Sequence, residues 1–301
     1  MFCTYFWYLA YAISDCATNG GGETAYQFGT FRTFWGSSNV PIPKGLGYWR
    51  RIEATTPEEL AVTMIKGVKL MVWCFLLNVV LGHYFVLCNK LGLPPLTHCV
   101  EAFSSGKPLP AFTNMASLVA DSLGGLLALS TWGHTVIATC RMAGFRALRN
   151  TYAPLSSKTI AEYWNRYFYY YKELLVDMFF YPTLIRCFKR NATVRIVFAT
   201  FMAAGFGNAL FHFLRDIHIV AMQGLSRAVL NYPYTTYSLV LALGISISQL
   251  RSRQPRRQRG WLHRRIWTPI CVFGFFCLLH LLEVTSASVC LHYAAYLLTG
   301  G

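Results

Sequence analysis

The sequence predicts an all-α, polytopic integral membrane protein, and three observations lead to this prediction. Of the 301 residues, 54% are hydrophobic and only 13% are charged, whereas soluble domains carry about a quarter of charged residues. The apolar residues are gathered in runs long enough to cross a bilayer as helices. The cations stand in short clusters between those runs, as expected of topology signals.

The apolar runs give the predicted number of crossings. A spanning helix needs about 20 mostly apolar residues. Such runs lie near residues 62–87, 113–140, 194–213, 232–249 and 267–298, with a shorter run at 2–13. The last long run can hold one tilted helix plus a second, since Glu283 and the TSAS stretch at 285–288 interrupt it. We therefore predict six or seven transmembrane helices.

Basic residues set the predicted orientation of these runs. The strongest cluster, RSRQPRRQRGWLHRR at residues 251–265, follows the run at 232–249, whereas the segments 88–112 and 214–231 hold fewer cations. If the basic segments are cytoplasmic, each long run crosses the membrane once. The stretch 160–187 then starts and ends on the cytoplasmic side, and its polar and aromatic composition predicts a re-entrant or interfacial helix.

One short stretch, GFGNALFHF at residues 205–213, places a histidine inside an apolar run. Gly205 and Gly207 allow a close approach of helices or a local break. Asn208 lies one helical turn before His212 and is placed to orient its ring or bind substrate. Burial favours the neutral imidazole, the form that acts as a general base. The alternative interpretation of His212 is a core residue that hydrogen bonds to a neighbouring helix.

Other ionisable residues in the runs allow structural and functional interpretations. Asp121 and His134 lie on one predicted helix, where they either line one cavity or pack as polar groups. His280 and Glu283 form an i, i+3 pair, for which we expect a structural role. The histidine and cysteine spacings predict no metal site. The net charge of +15 does not predict nucleic-acid binding, because the cations are spread between apolar runs.

The stretch MAGFRALRNTYAPLSSKTIAEYWNRYFYYYKELLVDMFFYP, residues 142–182, carries several motifs in a fixed order. It resembles the signature region of the membrane-bound O-acyltransferases, in the branch that contains alginate O-acetylases and the D-alanyl transferase of teichoic acid modification. The positions in register with the family pattern are Gly144, Phe145, Arg146, Asn150, Pro154, Ile160, Tyr163, Trp164, Arg166, Asp177 and Pro182.

Further blocks agree with the family in order. VPIPKGLGYWRRI at 40–52 and IKGVKLMVWCFLLNVVLGHYF at 65–85 are similar to the family's early segments, and FATFMAAGFGNALFHF at 198–213 takes the place of the helix with the active-site histidine. The resemblance covers roughly residues 5–215, and we expect early helices of the family to be missing. We predict a single membrane domain, 1–301. Its family-like part is 1–215, with the signature region at 142–213. The C-terminal helices follow at 216–301 and contain a basic cytoplasmic loop at 251–265.

The resemblance implies an O-acyltransferase. It would move an acyl group, most simply acetyl, from a thioester donor to a hydroxyl of an exported polysaccharide or cell-envelope acceptor. His212 is the implied general base, and Trp164, Arg166 and Asp177 would shape the cytoplasmic entrance for the donor. Arg166 and Asp177 suit helix anchoring equally well. Asn208 and His134 are further candidates for a supporting or substrate-binding role, and they come from the residues alone.

The resemblance also implies the co-substrate and the partners. The donor is acyl-CoA or acyl carrier protein, and no bound cofactor is expected. The expected partners are membrane lipid, the acyl donor and an extracytoplasmic acyltransferase or carrier, and the expected location is the bacterial inner membrane. The alternative is a non-catalytic protein of the same fold that acts as a scaffold or acyl passage. Phe168 favours that alternative, because the family commonly has His or Asn there.

Overall fold

The computed structural model describes residues 2–19, 44–223, 232–252 and 260–300, and all regular elements in these ranges are helices. The all-α prediction is therefore confirmed for the described part of the chain. The helices are α1 (Phe2–Asn19), α2 (Leu46–Ile52), α3 (Pro57–Lys90), α4 (Leu96–Ser104), α5 (Ala111–Met142), α6 (Ile160–Tyr167), α7 (Tyr169–Leu175), α8 (Tyr181–Arg186), α9 (Ala192–Arg215), α10 (Ile217–Gln223), α11 (Pro233–Ser252), α12 (His263–Val284) and α13 (Ala287–Thr299).

Within the described ranges, four helices are long and apolar enough to cross a membrane: α3, α5, α9 and α12. They coincide with four of the predicted runs. Helices α1, α11 and α13 occupy the remaining apolar stretches but do not meet the same requirements of length and composition. The number of six or seven crossings stays a prediction. The predicted break in the last run is confirmed, because α12 ends at Val284 and α13 begins at Ala287.

Helix α3 has the features expected of a lipid-facing span. Its N terminus carries Pro57 in the first position, and the Thr56 hydroxyl accepts the backbone N–H of Glu59 at 3.2 Å. Only 11% of its most apolar window is buried. A water-soluble protein rarely exposes so much contiguous apolar surface. This exposure is expected of a helix that contacts lipid.

The chain divides into two compact units. The first unit contains Met1–Val80, Ala128–Tyr152 and Arg166–Leu174, and the second contains Leu81–Leu127, Ala153–Asn165 and Leu175–Gly301. Helices α3 and α5 contribute residues to both units. Part of the predicted basic loop, residues 253–259, and the beginning of the block at 40–52 lie outside the described residues.

The first unit has a core of aromatic and aliphatic side chains. Trp49 of α2, Leu70 of α3, Ile137 of α5 and Tyr170 of α7 are buried together. The turn after α5 contains Gly144 with φ +92°, a left-handed conformation that favours glycine. This turn begins the GFR motif at 144–146, whose glycine therefore has a conformational role.

A network of neutral polar side chains stabilises the chain segment between α5 and α7. The Asn150 side-chain oxygen accepts the Tyr170 N–H at 3.2 Å, and the Tyr170 hydroxyl oxygen accepts the Leu148 N–H at 3.0 Å. The hydroxyls of Tyr170 and Tyr48 are hydrogen bonded to each other at 3.0 Å. Burial raises the pKa of both Tyr170 and Tyr48, so both stay neutral. We call Asn150, Tyr170 and Tyr48 the connector network.

The second unit is built from helices packed through small residues and aromatic rings. The Cβ of Ala242 in α11 lies against Gly205 of α9, and the ring of Phe275 in α12 lies against Gly244 of α11. Helix α6 is attached to α12 by Tyr163 and Phe276, whose rings stack with centroids 3.8 Å apart. These contacts place α9, α11 and α12 side by side.

Three π-helical segments lie in the described residues, at Val176–Phe180, Phe201–Gly207 and His263–Trp267, the last at the start of α12. The stretch 160–187, predicted as a re-entrant or interfacial helix, consists of α6, α7, a π-helical segment at Val176–Phe180 and α8. In helix α9 the π-helical segment Phe201–Gly207 is followed by one α-helical turn that leads to His212. Single-turn π segments occur frequently at functional sites. The segments at Val176–Phe180 and Phe201–Gly207 fall in regions that the sequence connects with the candidate site.

Candidate functional site

His212 lies near the C-terminal end of α9, within a candidate span, and its side chain is partly buried. Its imidazole stacks on the ring of Tyr234 at the start of α11, with centroids 3.8 Å apart and planes 8° from parallel. Phe211 and Tyr237 meet the imidazole edge-on. Three aromatic rings therefore fix the plane of the imidazole.

Asn208 lies one turn before His212 and is fully buried. The spacing puts both side chains on the same side of α9, as the sequence predicted. A buried amide is retained only with hydrogen-bond partners. The role of Asn208 in orienting His212 or binding substrate stays a prediction.

A charged pair lies at the C-terminal end of this helix. The Arg215 guanidinium donates two hydrogen bonds of 2.7 Å to the Asp216 carboxylate, and the Tyr232 hydroxyl donates to the same carboxylate at 2.6 Å. The guanidinium also lies over the ring of Tyr234, 4.7 Å from its centroid. Tyr234 therefore contacts the imidazole of His212 and the guanidinium of Arg215.

The electrostatics of this pair favour an ionised Asp216. Burial alone would raise the pKa of the Asp216 carboxyl, but the hydrogen bonds from Arg215 and Tyr232 outweigh it and hold the pKa below its ordinary value. Burial, together with the Asp216 acceptor, raises the pKa of Tyr232. The arginine and aspartate charges thus neutralise each other one turn beyond His212.

The π segments at Val176–Phe180 and Phe201–Gly207 pack against each other. The ring of Phe179 lies so close to Gly207 that a Cβ there would stand 2.6 Å from it. Asp177, a predicted entrance residue, lies on the first of these segments and is partly buried. The segment that carries Asp177 is therefore joined directly to the helix that carries His212.

The remaining predicted residues are divided between the two units. Trp164 is buried in the part of α6 that belongs to the second unit, beside the stacked Tyr163. Arg166 and His134 belong to the first unit. His134 is 8% exposed. The roles predicted for Arg166 and His134 beside His212 stay predictions.

No protein-family model matches the chain, and no curated protein matches it. The O-acyltransferase resemblance therefore rests on the quoted motifs. Several of these motif residues have structural roles in the first unit: Gly144 forms a turn, Arg146 pairs with Glu59 at 3.0 Å, and Asn150 caps α7. Motif residues in the second unit include Trp164 and Asp177.

Sequence reasoning missed a second ionisable cluster in the second unit. It paired His280 with Glu283, and the structure confirms that pair with a 3.0 Å contact between Nδ1 and Oε2. The structure adds Asp121 of α5, whose Oδ2 lies 2.8 Å from His280 Nε2. The signal was the presence of ionisable residues in two spans, since such groups pair with one another in membranes. No group of three or more potential ligands in the described residues has a metal-binding arrangement.

Proposed function

We propose that this chain is a membrane-bound O-acyltransferase with His212 as its general base. The observation that carries the proposal is the position of His212: partly buried in a candidate span, held by aromatic rings and preceded by a π-helical segment. The motif resemblance in residues 142–213 supplies the reaction class. A general base contributes about 100 to 10,000-fold to the rate of such a transfer.

The reaction needs one proton acceptor at the acceptor hydroxyl. The imidazole takes the hydroxyl proton as the oxygen attacks the thioester carbonyl. A C–O bond forms, the C–S bond breaks, and the imidazolium returns the proton to the leaving thiolate. The stack on Tyr234 keeps the ring in one plane during both proton transfers.

The neighbouring charges suit a neutral imidazole. Arg215 is the cation nearest to His212 along α9, and its charge is matched by Asp216 through two 2.7 Å hydrogen bonds. The imidazole therefore lies beside a neutral pair instead of a lone cation. Burial among Phe211, Tyr234 and Tyr237 further favours the uncharged ring.

The finer assignment follows the resemblance. In this proposal the acyl group is acetyl, the donor is acyl-CoA or acyl carrier protein, and the acceptor is an exported polysaccharide or another cell-envelope molecule. Trp164 and Asp177 of the second unit shape the donor entrance, and the entrance role of Arg166 stays a prediction. The protein acts in the bacterial inner membrane, with an extracytoplasmic acyltransferase or carrier as partner.

Transfer of radiolabelled acetyl groups to envelope material tests the proposal. Membranes containing the wild-type chain receive labelled acetyl-CoA or labelled acetyl carrier protein, and His212→Ala is compared at equal membrane content. The matched control is His98→Ala, because His98 is an exposed histidine on α4. We expect labelling by wild type and His98→Ala, and at least about a 100-fold loss in His212→Ala.

The other outcomes contradict the proposal in different ways. Full labelling by His212→Ala would make the histidine a packing residue and place the base elsewhere. No labelling by the wild-type chain with either donor would favour the alternative, a non-catalytic scaffold or acyl passage of the same fold.

A further inference from the structure

Three ionisable side chains from two membrane helices form one hydrogen-bonded group. His280 of α12 lies between Asp121 of α5 and Glu283 of α12, with contacts of 2.8 Å at Nε2 and 3.0 Å at Nδ1. The side chains are 25%, 37% and 30% exposed for His280, Asp121 and Glu283. Such groups are expensive in a bilayer and mark proton or ion pathways in many membrane proteins.

The geometry fixes the number of protons in this group. A ring nitrogen and a carboxylate oxygen form a hydrogen bond only when one of them carries a proton. Both ring nitrogens face a carboxyl oxygen, so the group holds two bridging protons. It is either an imidazolium between two carboxylates or a neutral imidazole with one carboxylic acid. Both forms carry one net negative charge.

We propose that Asp121, His280 and Glu283 form an intramembrane proton-transfer site, in which an acidic proton moves between the two carboxyl groups through the imidazole. The O–H bond of Asp121 breaks as an N–H bond forms at Nε2. The N–H bond at Nδ1 breaks as an O–H bond forms on Glu283. The number of protons is unchanged, and the negative charge moves from Glu283 to Asp121. Histidine suits this exchange because its two nitrogens accept and donate on opposite sides.

Proton transfer between Asp121 and Glu283 changes the electrostatic field at neighbouring side chains. Tyr84 and Cys99 lie within electrostatic range of Asp121. On the other side, Glu283 lies within electrostatic range of Tyr234, whose ring stacks on His212. Moving the charge between the carboxyls therefore changes the field at Tyr234. The proposal rests on the hydrogen-bond geometry and does not depend on acyltransferase activity.

Infrared spectroscopy of the full chain in lipid nanodiscs tests the proposal. A carboxylic acid has a C=O absorption separate from that of a carboxylate, and ¹³C labelling moves it. Wild-type protein is prepared with ¹³C-labelled aspartate, with ¹³C-labelled glutamate, or unlabelled, at neutral pH. We expect a carboxylic-acid band of which one part moves with the aspartate label and the other with the glutamate label.

Variants assign that band to the site. Asp121→Asn should remove the aspartate part and Glu283→Gln the glutamate part, whereas Glu101→Gln, an exposed carboxyl on α4, should leave the band unchanged. A band confined to one label would fix the proton on one residue and overturn the proposal. Absence of any acid band from both residues would also overturn it, because the group would then be a fixed imidazolium between two carboxylates. The labelled wild type decides these outcomes even if a variant fails to fold.

Discussion

The connector network of the first unit and the polar groups around His212 and His280 in the second unit have different partners. In the first unit, the connector network consists of neutral side chains, and Asn150 and Tyr170 bond to backbone N–H groups. In the second unit, the polar groups around His212 and His280 are mostly ionisable side chains. Some of them contact another helix, since His280 contacts Asp121 and His212 stacks on Tyr234. The connector network supplies hydrogen-bond acceptors to backbone N–H groups, whereas the groups in the second unit pair ionisable side chains with one another.

This difference separates fold-determining residues from candidates for chemistry. A buried backbone N–H without a partner destabilises the fold, so a neutral amide or hydroxyl beside it is explained by structure alone. The structural need for hydrogen bonding does not explain an ionisable group in a membrane span, because an apolar residue there costs less free energy. The motif residues of 142–182 therefore divide into structural ones, such as Asn150, and ones on the segment that packs against the site helix, such as Asp177.

The largest effect on stability is expected in the connector network. Tyr170 is fully buried, and Tyr170→Ala removes its ring and leaves the Leu148 N–H without its acceptor. We expect a loss of about 3–5 kcal/mol in unfolding free energy. Unfolding in detergent micelles measures it, with Tyr181→Ala as the control because Tyr181 is 52% exposed. Equal losses in the two variants would contradict the structural role of the network.

A smaller effect is expected where the π segments meet. In Gly207→Ala the new Cβ would lie 2.6 Å from the ring of Phe179, so we expect a loss of about 1–3 kcal/mol and a displaced His212. Gly274→Ala is the control, since a Cβ there meets nothing within 4 Å. Combining Gly207→Ala with Phe179→Leu should restore part of the stability. If the double variant shows no recovery, the close contact does not join the two segments.

The smallest effect is expected on acid stability. The depressed pKa of Asp216 stabilises the fold above the unfolded pKa, and this contribution is lost as the pH falls through the folded value. We therefore expect wild type to lose more stability than Asp216→Asn between about pH 5 and pH 3. Thermal unfolding at several pH values measures the difference, with Glu101→Gln as an exposed control. Parallel losses in wild type and Asp216→Asn would show that the pair with Arg215 adds no stability.

Composition and local spacing predicted much of the fold. The apolar runs that form α3, α5, α9 and α12 could be recognised in the sequence, because a helix that crosses a bilayer needs a long apolar segment. The pair of His280 and Glu283 is visible because the two residues are three apart on one helix. The GFGNALFHF stretch likewise placed His212 inside an apolar helix.

Sequence patterns did not predict the tertiary contacts of the site. Asp121 and His280 are 159 residues apart, and nothing in a single sequence pairs them. The stack of His212 on Tyr234 depends on how α9 packs against α11, which periodicity does not specify. The π segments were also missed, because no residue pattern separates them from an ordinary apolar helix.

The most direct test of the distinction between the two units compares His212→Asn with Tyr170→Phe. Acyl transfer is measured per folded molecule, and unfolding free energy is measured on the same preparations. We predict that His212→Asn keeps its stability but loses transfer by about 100 to 10,000-fold. Tyr170→Phe should be less stable than wild type, with unchanged transfer per folded molecule. Retained transfer in His212→Asn, or abolished transfer in folded Tyr170→Phe, would contradict the assignment of chemistry to the second unit.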